Sequence, residues 1–243
     1  MSVFRFLCLL LILSVCSYAQ QSKGYEMKPI SERFLLYITY HDIDSSPFPA
    51  NALFVITDPG IVMIDCPWDT SQTNKLIDSA EHFYKKKVIA CIATHFHEDR
   101  TGSLDILKKR GIKTYSSHQT FELCKKRNEP QAEFYFENDT TFSFGSFKIQ
   151  TFYPGKGHSP DNIVIWFEQD RILYGGCFIK STESSTLGNI SDADVPAWLA
   201  SAKKLQSRYS KPALVIPGHQ AFKGRQCLGH TLKLLQKQVG KNK

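Results

Sequence analysis

The most constraining feature of this chain is the apolar run Val88-Ile89-Ala90-Cys91-Ile92-Ala93, which leads directly into Thr94-His95-Phe96-His97-Glu98-Asp99-Arg100. A short run that is apolar throughout reads as a strand buried on both faces, so the fold must place a layer on each side of it. Just past its end come three donor side chains at alternate positions. In extended chain, residues two apart point to the same side. His95 and His97 therefore face one point. Asp99, at the turn into a following helix, faces an adjacent one, and the helix dipole there favours a carboxylate. Three more donors lie far downstream on short Gly-rich turns: Gly157-His158, Gly175-Gly176-Cys177 and Pro217-Gly218-His219. Five of the six are His or Cys, the side chains that bind zinc best at neutral pH. Taken alone, a His-x-His-x-Asp segment arises often by chance. The downstream turns favour convergence over a set of unrelated core and surface residues.

The chain has 243 residues, 42% of them hydrophobic and 22% charged, which suits a globular protein with one large or two small domains. Residues 6–16 read FLCLLLILSVC behind Arg5, and Ser17-Tyr18-Ala19 supplies small residues beyond them. That run is too short to span a bilayer and reads as a secretory signal peptide, residues 1–19, cut after Ala19. Leu13-Ser14-Val15-Cys16 partly resembles a lipoprotein signal, although Val15 is larger than that signal prefers. Residues 20–243 are then expected to form a single domain. Removing the signal takes away Arg5 and leaves a formal charge of +6. That surplus suits anionic small molecules or simple solubility; no nucleic-acid motif accompanies it. Cys66, Cys91, Cys124, Cys177 and Cys227 remain, and an odd count in an oxidising compartment leaves at least one thiol outside an intramolecular disulfide. Metal ligation would protect one of them. Cys91, inside the buried run, is expected to be a small core residue.

Strand and helix patterns alternate in two similar halves. The first carries strand candidates over 34–40, 52–57, 60–66 and 88–93, a helix over about 70–86 and a short helix over 102–110 closed by Gly111. The second carries strand candidates over 141–144, 147–153, 162–167, 171–174 and 213–216, with helices over 195–209 and 227–239. Trp198, Leu199, Ala202 and Leu205 share one face of the first of these helices. Phe136, Phe142, Phe144, Phe147 and Phe152 read as strand core. His41, His82, His118 and His230 read as surface or capping residues, and Lys85-Lys86-Lys87 as a solvated helix end. Two sheets packed face to face with helices outside would satisfy these patterns, with every candidate ligand at or just past a strand end.

The ensemble resembles the metallo-β-lactamase superfamily, and within it the class B β-lactamases of the three-histidine plus Asp-Cys-His subclass. The similarity is carried by Asp65-Cys66-Pro67-Trp68, the segment from Thr94 to Arg100, Pro154-Gly155-Lys156-Gly157-His158, Gly175-Gly176-Cys177-Phe178-Ile179-Lys180, Leu187-Gly188-Asn189 and Gly218-His219. The resemblance implies an α/β fold, an αββα sandwich with a zinc site in the crevice at one edge of the sheets. It implies two Zn2+ per chain, with His95, His97 and His158 on the first and Asp99, Cys177 and His219 on the second. Relatives with other activities carry a His where this chain has Arg100. A guanidinium cannot ligate zinc, so Arg100 is expected beside the Cys177 thiolate rather than on an ion. Asp65 is a candidate for orienting a His ligand.

The reaction implied is hydrolysis of a β-lactam amide, in penicillins, cephalosporins and carbapenems, by a hydroxide bridging two zinc ions, without a covalent acyl-enzyme and with antibiotic resistance as the outcome. Lys180 would pair with the substrate carboxylate, Asn189 would assist at the carbonyl, and Asp99 would orient the nucleophile and help move a proton. Residues 41–49 correspond to a mobile hairpin over the crevice, with Ile43, Pro47 and Phe48 available to apolar substituents. The expected setting is the periplasm, and the expected state a monomer with no nucleic-acid or membrane-spanning partner. The competing readings are another hydrolase of the same fold, acting on a thioester, lactone or phosphoester, and a zinc-binding periplasmic protein without turnover.

Overall fold

The computed structural model describes residues 24–241, so the expected signal peptide lies outside the described residues. In chain order the elements are β1 (Glu26–Pro29), β2 (Phe34–Ile43), β3 (Ser46–Ile56), β4 (Ile61–Ile64), α1 (Thr70–Tyr84), β5 (Val88–Ile92), α2 (Glu98–Thr101), α3 (Leu104–Lys109), β6 (Lys113–Ser117), α4 (His118–Arg127), β7 (Phe134–Phe136), β8 (Thr141–Phe144), β9 (Phe147–Phe152), β10 (Val164–Phe167), β11 (Ile172–Gly176), α5 (Val195–Arg208), β12 (Leu214–Pro217) and α6 (Gln226–Lys241).

The strands form two sheets, one of seven in the order β1 to β7 and one of five in the order β12-β11-β10-β9-β8. Alternation along each strand builds three apolar layers. On β2, Phe34, Leu36 and Ile38 face the inter-sheet core, where they meet Ile149, Ile165, Phe167 and Tyr174 of the second sheet. Leu35 and Tyr37, on the other face, pack with Leu76 and Ile77 of α1 and Leu104 and Leu107 of α3. Across the second sheet, Val164 and Leu173 pack with Trp198, Leu205, Leu228 and Leu235 of α5 and α6. Both faces of the central strands are covered, which is why they read as continuous apolar runs. The result is the expected αββα sandwich.

Local signals set the helix ends. Asp69 caps α1 by accepting the Ser71 N–H at 2.8 Å, and Lys85 closes it in the left-handed region at φ 52°. Lys86 is more than a solvated helix end, because its Nζ donates to the carbonyls of Thr57 and Asp58. The helix expected over 102–110 is α3, which begins at Leu104; the short α2 precedes it, and between them the Ser103 hydroxyl donates to the Pro67 carbonyl at 2.7 Å. Four elements carry no clear sequence pattern: β1, β6, α4 and β7. Lys113–Ser117 and His118–Arg127 are largely polar because they lie toward the sheet edge, where one face meets water. The two halves are thus less alike than the sequence suggests.

The expected flap is the tip of a regular hairpin. β2 and β3 pair without interruption from Phe34↔Val55 to Ile43↔Ser46. Asp44 and Ser45 turn the chain, both with positive φ, at 49° and 62°. Two successive left-handed residues make the tight turn whose twist matches paired strands.

The parallel pairs β4–β5, β5–β6 and β11–β12 are each joined by helical crossovers. Their C-terminal ends open on one edge of the sandwich, and the loops there carry the candidate donors. Ile165 is fully buried at the centre of the inter-sheet core. Ile165→Ala should lower unfolding free energy by about 2–5 kcal/mol, read from the urea midpoint of the zinc-free protein. A loss below 1 kcal/mol would mean that the two sheets do not share a close-packed core.

Candidate metal centre

The donors fall into two touching groups. His95 and His97 follow β5, and His158 lies on the loop between β9 and β10. His95 Nε2 and His158 Nε2 each lie 3.1 Å from His97 Nδ1. Asp99 sits in the first turn of α2, Cys177 just after β11 and His219 just after β12. Cys177 Sγ lies 3.1 Å from both Asp99 Oδ2 and His219 Nε2, and those two are 3.2 Å apart. His95, His97 and Asp99 also meet within 4.8 Å, as do His95, His158 and Cys177, so the groups adjoin.

Whether an ion belongs here can be read from the donors themselves. His97 Nε2 lies 3.1 Å from Asp192 Oδ2. When it donates there, Nδ1 keeps one lone pair for two neighbouring ring nitrogens. His158 turns Nε2 to this cluster, and its Nδ1 is buried without a hydrogen-bond partner among the described residues. Burial holds the His95 and His158 pKa values well below the ordinary range, and the Lys180 cation adds to it at His158. These imidazoles are neutral and ready to donate. Donors about 3.1 Å apart are close to the roughly 3.3 Å between neighbouring ligands of tetrahedral zinc with bonds near 2.0–2.1 Å. The second group offers a carboxylate, a thiol and an imidazole. Both groups fit zinc, and together they fit a two-zinc centre.

Arg100 underlies the second group. Its guanidinium is fully buried. Nη2 donates to Cys177 Sγ at 3.0 Å and to the Gly218 carbonyl at 2.8 Å, and pairs with Asp99 Oδ2 at 3.0 Å. Nη1 donates to the Asn51 carbonyl at 2.7 Å and to the Tyr174 hydroxyl at 3.0 Å. Burial works to raise the Asp99 pKa, yet Arg100 and His219 outweigh it and hold the carboxyl well below its usual range. Burial pushes the Cys177 thiol up and Arg100 pulls it back. Gly218 must lack a side chain, since a Cβ there would lie 2.6 Å from the Cys177 nitrogen and 2.8 Å from Arg100 Nη2.

Asp65 does not orient a histidine directly. Its Oδ1 accepts the Thr94 N–H at 2.7 Å, and its Oδ2 meets the Thr94 hydroxyl at 3.0 Å and the Tyr174 hydroxyl at 2.7 Å. Thr94 Oγ1 in turn lies 3.4 Å from His95 Nδ1. Burial pushes the Asp65 carboxyl up to about 6, against the lowering effect of Arg100. Its backbone is left-handed, at φ 64°.

Several supports had no signal in the sequence. Asp192, beyond the Asn189 loop, meets His97 and is itself paired with Arg127 of α4. The Pro49 carbonyl on β3 lies 2.8 Å from His219 Nδ1, which fixes that ring with Nε2 turned to the donors. Trp198 donates its indole N–H to the Phe178 carbonyl at 3.0 Å and anchors the turn after Cys177 to α5. Only the alternation of donor-rich turns with strands hinted at such supports.

Lys180 is buried, with its backbone N–H donating to Thr231 Oγ1 at 2.8 Å. Its Nζ stands 5.4 Å from the Trp198 ring centre and has no acidic partner among the described residues. Lys180, His219 and Phe48 line one cavity of about 210 Å³ with Gly188 and Ser184. The Phe48 ring is 4.9 Å from that of His219. Asn189 is exposed, and its Oδ1 accepts the Ser191 N–H at 3.0 Å. His41 stacks on Trp68, His118 pairs with Glu137, and His230 meets the Ser184 carbonyl, all apart from the donors. The five described cysteines are all free and buried.

Known proteins share this architecture. The family model described as the metallo-beta-lactamase superfamily matches residues 45–219. The metallo-beta-lactamase type 2 of Elizabethkingia meningoseptica is 35% identical over 227 residues, which are 93% of this chain and 91% of that one. That of Bacillus cereus is 44% identical over 188 residues, 77% of this chain and 73% of its own. Among solved structures, the metallo-beta-lactamase from Pontibacter korlensis superposes with a TM-score of 0.85 at 32% identity, covering 88% of this chain and 99% of that chain. With the family model spanning most of the sequence, and the two donor groups standing at one edge of an αββα sandwich, the chain belongs to the metallo-beta-lactamase superfamily.

Proposed function

We propose that this protein is a zinc-dependent β-lactamase that hydrolyses the amide of penicillins, cephalosporins and carbapenems and so confers antibiotic resistance. The observation that carries this reading is the pairing of two unlike donor groups with a buried, acid-free lysine in the adjoining cavity. Residues 1–19 serve as a signal peptide for export to the periplasm, and residues 20–243 act there as one monomeric domain. His95, His97 and His158 would hold one zinc, and Asp99, Cys177 and His219 the other. Bound there, the two ions supply Lewis acidity and lower the pKa of a water to roughly 7.

The remaining tasks fall to side chains of the protein. Lys180 binds the carboxylate that β-lactams carry beside the ring, a role for which an unpaired buried cation is suited. The Asn189 amide donates to the carbonyl oxygen as negative charge develops on it. Asp99 orients the attacking water and helps move its proton. Phe48 and Ile43, on the hairpin, cover apolar substituents and exclude water. Arg100 keeps Asp99 anionic and opposes the upward push of burial on the Cys177 thiol, without occupying a ligand position.

The mature protein should hydrolyse a chromogenic cephalosporin, lose that activity on chelation and regain it when zinc is restored. Absence of turnover with two zinc ions bound would leave a zinc-binding protein, and preferential turnover of a thioester or lactone would favour another hydrolase of this fold. Lys180→Ala should raise KM about tenfold or more, matching the ~1.5–3 kcal/mol of a charge-assisted hydrogen bond, with a smaller change in kcat. An unchanged KM removes Lys180 from the substrate site. Cys177→Ser should retain close to one zinc per chain instead of two after dialysis, measured by elemental analysis. Retention of both would place the thiolate outside the ligand set.

A further inference from the structure

Asp161 lies three residues past His158 and is 1% exposed. Its Oδ2 accepts the backbone N–H of Phe96 at 2.9 Å. Phe96 stands between His95 and His97. One buried carboxylate therefore ties the strand end bearing two imidazoles to the loop bearing the third. A parallel tie runs from the Ile163 N–H to the Thr94 carbonyl at 2.9 Å. The loop also braces itself. Asn162 Oδ1 accepts the Ser159 N–H at 2.9 Å, and Asn162 Nδ2 donates to the Gly155 carbonyl at 3.0 Å.

These ties explain the position of Asp161 but not its charge. A neutral side chain could accept the same N–H. A carboxylate buried with one such bond is expensive to desolvate, and its Oδ1 has no hydrogen-bond partner among the described residues. The two zinc groups supply a reason. Asp99 and Cys177 bring negative charge to one; His95, His97 and His158 bring none to the other. A divalent ion on three neutral imidazoles leaves positive charge in a buried setting, where an anion nearby gains most. Burial raises the Asp161 pKa, and the nearby Ser159 and Thr120 hydroxyls act in the opposite sense without offsetting it.

We infer that Asp161 is a positioning residue for the three-imidazole site: it holds the His95–His97 segment in register with His158, and its charge balances the ion those rings hold. This rests on the two-zinc reading of the site. Asp161→Asn keeps the shape and removes the charge; Asp161→Ala removes both. Each is compared with the parent by zinc competition against a chromophoric chelator and by cobalt substitution. Only the Cys177 site gives a thiolate-to-cobalt charge-transfer band, so the two sites are read separately. Asp161→Asn should weaken metal binding at the three-imidazole site about tenfold or more, leave the cobalt affinity read from the charge-transfer band unchanged and keep the urea midpoint of the metal-free protein. Asp161→Ala, if it folds, should weaken that site further. Parent-like affinity at both sites in Asp161→Asn, or equal weakening of both, overturns the assignment. A parent that binds fewer than two metals would instead overturn the two-zinc reading itself.

Discussion

The site depends on one buried cation. The Arg100 guanidinium touches Asp99, Cys177 and the backbone of Asn51 and Gly218, and its contacts with Asp65 and Tyr174 extend to the end of β4 and into β11. A charge with no exposure to water must find its partners inside the protein, and breaking such a network leaves the rest uncompensated at roughly 3–5 kcal/mol. Arg100 therefore fixes where the ends of β5, β11 and β12 and the middle of β3 stand relative to one another. It also divides the metal centre electrostatically. The group beside the guanidinium gathers the carboxylate and the thiol, and the group away from it is made of imidazoles alone.

That arrangement is possible because of the layers beneath it. With both faces of the central strands buried, those strands are locked in register by side chains that cannot change faces. Parallel crossovers leave their C-terminal ends on one edge, and every donor but His158 comes from such an end. His158 comes instead from the loop between two antiparallel strands, and this is where the extra ties of Asp161 and Asn162 are concentrated. The loop least positioned by the sheet is the one most braced by side chains.

The hairpin reaches the metal centre. Its strands continue without a break from the core to the Asp44-Ser45 turn, so the Pro49 carbonyl that orients His219 and the Phe48 ring beside it belong to one rigid ladder. The Phe48 ring beside His219 and the carbonyl that orients it are thus neighbours on one strand.

The donors were legible in the sequence because zinc chemistry restricts residue type and strand geometry restricts spacing. His95-x-His97-x-Asp99 and the Gly-bearing turns at 158, 177 and 219 satisfy both conditions, and Arg100 declares itself by being unable to ligate. The buried strands were legible because covering on two faces requires continuous apolar residues. The polar edge elements β6, α4 and β7 were not, since partial burial leaves neither period clean. Nor were the supports of the site. Asp192 and the Pro49 carbonyl meet their histidines across 95 and 170 positions of chain, and Asp65 serves Thr94 and Tyr174 rather than a ring. The sequence by itself determined the donor set and the layered architecture, because each rests on local residue chemistry and period. Only the tertiary structure decided which partners orient each donor, because hydrogen bonds between distant segments depend on where the sheets bring their ends.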